Sequence, residues 1–157
     1  MRSARDRDAL QQAVLDGTID AVVSDHTPVE PDGKALPFAQ AEPGASGLEL
    51  LLSATLKWRG LDHVNLASGL ACVTSRAAQV LSKATRVNLP KGLGQLVVGG
   101  VADVCVFDPQ APWSVTPEAL RSQGKHTPFA FEVSGMSMSG RVRATLVGGQ
   151  LAYQGTA

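Results

Sequence analysis

The run Ile19-Asp20-Ala21-Val22-Val23, followed at once by Ser24-Asp25-His26-Thr27-Pro28, constrains this chain more than any other stretch. A short β-branched run that ends in an acid is how an α/β barrel delivers a carboxylate to its C-terminal face. The next twenty positions, Pro28 to Gly47, hold four Pro and three Gly. That composition reads as a long loop, and loops of this length in compact domains are usually functional or disordered. Only one helix pattern precedes the acid. The sequence therefore reads as the last strand of a barrel without most of the barrel.

Length agrees with that expectation. A complete eight-stranded α/β barrel takes roughly 250 residues, and this chain has 157. The formal net charge is zero and charged residues make up 18%, so no basic patch points to nucleic acid or an anionic membrane. No apolar run approaches the roughly 20 residues of a membrane span, and Met1 to Asp6 carries no signal-peptide core. Cys72 and Cys105 are isolated in apolar contexts and read as buried thiols rather than a disulfide. Together these features predict a cytoplasmic protein.

Along the chain, Ala9, Leu10, Ala13 and Val14 recur at helical spacing, with Asp6 as the expected cap and Gly17 as the stop. Thr18 to Ser24 is predicted to be a buried strand. Gly47 to Arg59 is predicted to be a helix, with Leu48, Leu51, Leu52, Thr55 and Leu56 on its apolar stripe. Shorter helices are expected at Asn65 to Leu70 and Ser75 to Leu81, which makes Gly60 to Leu89 a helical appendage. From Pro90 the pattern changes to short strands: Gly94 to Val97, Val104 to Phe107, Arg141 to Val147 and Gln150 to Tyr153. Gly148-Gly149 is a tight-turn signal between the last two. A helical piece is expected within Trp113 to Lys125, capped by Thr116, with Pro117 first and Glu118 in its first turn. Residues 1–89 and 90–157 thus form the two expected units.

Several features have ordinary explanations. A single histidine without a partner at ligand spacing is usually structural, so His26, His63 and His126 do not define a metal site. Lys125 to Phe129 reads as a chain reversal that docks Phe129 on the core. Gly92, Gly94, Gly99 and Gly100 lack the strand-to-helix setting of a nucleotide loop and read as turn glycines. Trp58 and Trp113 are expected to be packing residues.

The ordered segments "DGTIDAVVSDHTP", "GKALPFAQAEPGASGLELLL", "GLGQLVVGGVADVCVFDP", "GKHTPF" and "GRVRATLVGGQLAY" resemble the C-terminal portion of dihydroorotases, in the amidohydrolase superfamily. The resemblance runs from Arg2 to Tyr153, and Ser24 to Leu48 is its most specific part. It implies an α/β fold: the last helix, strand and loop of a metal-dependent barrel, then the C-terminal share of a flanking β-sandwich domain. It implies zinc chemistry on N-carbamoyl-aspartate and dihydroorotate, with Asp25 as metal ligand and catalytic proton shuttle. Where catalytic members have Pro-Phe-Gly beside the pyrimidine ring, this chain has Glu42-Pro43-Gly44, which makes Pro43 and Gly44 the substrate-binding candidates. Four residues after the acid, active members carry a substrate-binding histidine, and this chain carries Val29. That departure keeps a second reading open, a non-catalytic dihydroorotase-like partner of aspartate carbamoyltransferase. A hydantoinase- or deacetylase-like relative would fit the β segments but not Ser24 to Leu48. The isolated chain is expected to be inactive, since it has no histidine pair at ligand spacing.

Overall fold

The computed structural model describes residues 3–59, 66–84, 88–130 and 135–155. The first helix, α1, spans Ala4–Leu15. Its cap is Ser3, whose hydroxyl accepts the Asp6 N–H at 3.1 Å. The capping expected of Asp6 is therefore made one turn earlier, with Asp6 as an acid inside the first turn, where it complements the helix dipole. Val14 is the one buried side chain of α1.

The predicted strand at Thr18 to Ser24 does not form. A strand needs a neighbour, and no parallel partner runs beside this segment among the described residues. Its main-chain bonds to its surroundings are Ile19 N–H to the Ala13 carbonyl of α1, at 2.8 Å, and Val22 N–H to the Cys72 carbonyl, at 3.0 Å. Val23 is left 76% exposed. The segment Gly94 to Val97 likewise forms turns rather than a strand, with Gly92, Gly94 and Gly99 at positive φ.

Beyond the long loop, a 3-10 turn at Leu48–Leu50 runs into α3, Leu51–Arg59. The buried positions are Leu50, Ser53, Thr55 and Leu56, whereas Leu48 is 64% exposed. The predicted stripe was thus set too early by Leu48. Helices α4 (Leu66–Ala71) and α5 (Ser75–Ala84) follow. The expected start at Asn65 lies outside the described residues, as does His63.

The sheet has three antiparallel strands in the order β1-β2-β3: Val104–Val115, Met136–Val147 and Gln150–Gln154. β1 and β2 run further than the sequence predicts. Pro112 is accommodated because the register shifts between Asp108 and Pro112, a bulge that spares the missing N–H. Consequently Trp113 to Val115 belong to β1, and only a single turn follows, in which Thr116 Oγ1 accepts from Ala119 N–H at 3.3 Å. The expected helix is reduced to that turn. The β2–β3 hairpin turns on Gly148 and Gly149 at φ 56° and 80°, as a two-residue turn requires.

Helix α3 lies on β2. Leu56 reaches the surface of Gly140, where an added Cβ would stand 2.3 Å from Leu56 Cδ1. The core joins Leu50, Val115, Leu120 and Met138, with Trp113, Phe129, Ala130 and Met136 packed around them. The Trp113 indole N–H donates to Ser53 Oγ at 3.0 Å, which satisfies its polar tip. Phe129 docks on this core as predicted for the reversal at Lys125 to Phe129. Both thiols are free; Cys72 is buried as expected, whereas Cys105 is exposed on β1.

Candidate functional site

The chain leaves α1 through Gly17 and reaches Asp25, which adopts φ 47°. Asp25 is the one non-glycine residue at positive φ among the described residues. Asp tolerates the left-handed region better than most side chains, yet the conformation still costs free energy and persists only where the surroundings impose it. The Asp25 side chain is exposed, and its carboxylate has no hydrogen-bond partner among the described residues.

What imposes the conformation is the returning arm of the loop. Thr27 N–H donates to the Ala45 carbonyl at 3.0 Å. His26 Nδ1 accepts the N–H groups of Gly47 and Leu48 at 3.1 and 3.2 Å. Gly47 lies so close to Ser24 that an added Cβ would come within 2.6 Å of its carbonyl oxygen. Residues 24–27 and 45–48 are thereby closed into a neck.

The loop beyond the neck has its own order. Pro31 begins a one-turn helix, α2, at Pro31–Lys34. Glu42 N–H donates to the Gly33 carbonyl at 2.9 Å, and Lys34 Nζ donates to the Glu42 carbonyl. Pro43 is exposed and Gly44 half-buried at φ 127°. The Gly44 N–H and the Pro43 carbonyl have no hydrogen-bond partner among the described residues. Val29 is buried beneath the loop, at 8% exposure, against Gly33 and Gly44.

The floor comes from the second half of the chain. Ser46 N–H donates to the His126 carbonyl at 2.8 Å, and Ser46 Oγ donates to the Gly124 carbonyl. Glu49 accepts the N–H groups of Arg121 and Ser122 at 2.8 and 2.9 Å. Thr127 is buried there with its hydroxyl unpaired. Sequence patterns give no sign of these contacts, because they join residues more than seventy positions apart.

The structure brings Gly44 against Thr27, two residues beyond Asp25, so Pro43 and Gly44 lie just beyond the neck that holds the acid. The described histidines are not part of a metal-binding group. His26 is engaged at the neck, and His126 offers its carbonyl to Ser46. Among the described residues no three His, Cys, Asp or Glu side chains are placed to share a metal. The residues present do not by themselves fit zinc: Asp25 offers one oxygen donor where such a site takes at least three protein ligands.

No family model matches the chain. Individual relatives do. A dihydroorotase-like protein of Pseudomonas aeruginosa is 41% identical over 157 residues, 99% of this chain and 34% of its own length. A dihydroorotase of Syntrophotalea carbinolica is 34% identical over 98% of this chain and 33% of its own length. In sequence, this chain matches part of a dihydroorotase-like protein. It spans about a third of the length of these relatives. Among solved structures, a D-hydantoinase (dihydropyrimidinase) from Thermus sp. superposes with a TM-score of 0.81 at 23% identity, over 98% of this chain and 32% of that one. An L-hydantoinase from Arthrobacter aurescens gives 0.73 at 25% identity, over 97% of this chain and 32% of that one. The chain therefore shares the mixed helix-and-sheet fold of the matching part of these hydantoinases. No described helix of it is long and apolar enough to cross a membrane.

Proposed function

We propose that this chain is the C-terminal share of a cytoplasmic, dihydroorotase-like cyclic amidohydrolase that interconverts N-carbamoyl-aspartate and dihydroorotate in pyrimidine synthesis. In this reading residues 1–89 are the end of a TIM-type barrel with its helical appendage. Residues 90–157 are the C-terminal share of the composite β domain. The observation that carries the reading is Asp25: a carboxylate without a protein partner, on a backbone held in a left-handed conformation by the neck. Strain at an unpartnered acid is a signature of a functional position.

The chemistry follows from that acid. As water attacks the ring carbonyl, a C–O bond forms and Asp25 takes the water proton. As the C–N bond breaks, the same proton passes to the leaving nitrogen. One carboxylate serves both steps because it accepts and returns a proton and is open to solvent. The free Gly44 N–H and Pro43 carbonyl are a donor and an acceptor of the kind a cyclic imide requires. Zinc belongs to this proposal only through ligands beyond the described residues, with Asp25 as one oxygen donor.

The test is ring opening of dihydroorotate by the full-length protein, with zinc content measured in parallel. Asp25→Asn should lower turnover by about 10²- to 10⁴-fold. A metal-loaded wild type without turnover would end this reading.

One observation favours a second reading, the non-catalytic partner of aspartate carbamoyltransferase. Position 29, where a catalytic member has its substrate histidine, is apolar and buried under the loop. In that case the full-length protein should lack zinc and copurify with the transferase.

A further inference from the structure

We infer that His26 is a positioning residue for Asp25, setting the carboxylate's place without touching the substrate. The inference rests on the amidohydrolase reading and extends it to a side chain with no assigned role. Asp25 sits at φ 47°, and its neighbours on both sides are tied to one short segment. Before it, Ser24 lies against Gly47; after it, Thr27 N–H donates to Ala45. His26 makes two further ties, since its Nδ1 accepts from Gly47 and Leu48 together, at 3.1 and 3.2 Å. These N–H groups stand where the helical segment at Leu48 begins, and the opening N–H groups of a helix have no partner within it. A side chain 21 positions earlier supplies the acceptor. An Nδ1 that accepts two N–H groups carries no proton, so the ring is fixed as the tautomer protonated at Nε2.

The imidazole thus joins the residue next to the acid to the start of the helical segment whose Leu50 belongs to the core. Remove the acceptor, and the backbone at residues 25–26 loses its hold on that rigid element. A displacement of about 1 Å at a catalytic group costs on the order of a hundredfold in rate.

The experiment compares His26→Phe, which keeps a ring without an acceptor, with His26→Asn, whose Oδ1 reproduces the Nδ1 acceptor. In the full-length protein, His26→Phe should lower kcat about a hundredfold with little change in KM. His26→Asn should recover most of that loss. Equal kcat for the two variants, or a change confined to KM, would overturn the inference. Should His26→Phe fail to fold by circular dichroism, His26→Gln, with its acceptor one atom further out, takes its place. A second readout separates this inference from the amidohydrolase reading. In isotope-labelled full-length protein, the three-bond coupling between the Asp25 Hα and the preceding carbonyl carbon, with the intraresidue amide–Hα NOE, reports the sign of φ. If the wild type shows no turnover, the amidohydrolase reading fails, and the coupling still decides the role of His26. Loss of positive φ at Asp25 in His26→Phe, restored in His26→Asn, supports the role; retention of positive φ in both overturns it.

Discussion

Val29 lies beside Gly44 beneath the loop and leaves no room there for a side chain at position 44. A Cβ built on Gly44 would stand 3.0 Å from Val29 Cγ2 and 2.5 Å from the Thr27 carbonyl oxygen. Gly44 also holds φ 127°, a conformation open essentially to glycine alone. Gly44→Ala should therefore destabilise the protein by about 3 kcal/mol, since strain and overpacking act together. Gly17→Ala is the control. Gly17 has φ 84° but nothing within 4 Å of its added Cβ, so its cost should stay near 1–2 kcal/mol. Urea melts of both variants measure the difference.

From the other side of the same pair, Val29→His tests the missing substrate histidine. Val29 is buried, so the larger and polar ring has to be accommodated beneath Gly33 and Gly44 at a cost of about 1–3 kcal/mol. Ring opening by the full-length protein should not rise. A tenfold increase, about 1.4 kcal/mol of barrier, would show instead that the pocket has room for an imidazole and that the non-catalytic reading is wrong.

The strain at Asp25 predicts an exchange between stability and activity. Asp25→Gly should remove the left-handed penalty, and Asp25→Ala should keep it, which places Ala about 1 kcal/mol below Gly in stability. Both should be inactive in the full-length protein. Denaturant melts give the first result and the ring-opening assay the second.

The parts of the fold that the sequence makes legible are those set by neighbours in the chain. Gly148-Gly149 dictates the last hairpin, and the Ala13-Val14 periodicity marks α1. Thr18 to Ser24 has the composition of a buried strand, but a ladder requires a partner, and composition does not provide one. The role of His26 was hidden for a different reason: its two donors lie 21 and 22 positions away, beyond any local pattern. Pro112 also obscured the true length of β1, because the bulge that accommodates it depends on β2.

Glu49 offers a further test. Its carboxylate accepts two N–H groups from Arg121 and Ser122, and charge-assisted bonds of this kind are worth about 1.5–3 kcal/mol. Glu49→Ala should lose that amount, and Glu49→Gln, with one remaining acceptor, about half. Hydrogen exchange at the Ser122 amide should quicken in the same order.

Asp108 links stability to pH. The Gln110 N–H, then the Ala111 N–H and Arg143, hold its carboxyl below the ordinary aspartate range. A carboxyl lowered by folding contributes stability that is complete above that ordinary range and is lost as pH falls through the folded-state value. The stability gap between wild type and Asp108→Asn should therefore be full near pH 7 and close below about pH 4. A gap independent of pH would remove Asp108 from the acid limb.

Ser46 and Glu49 reach across to the segment at residues 121–126, and most of what they grip there is main chain: two carbonyls and two N–H groups, beside the Ser122 hydroxyl at 3.3 Å from Ser46 Oγ. Such an attachment is indifferent to most of the side chains it holds. Residues 121–126 are free to diverge among homologues, apart from Ser122, whose hydroxyl meets Ser46, and Gly124, where a Cβ would meet Pro28 at 2.7 Å. Hybrid genes joined at Pro90 should keep this seam intact when the two parents share the path of the backbone and little else.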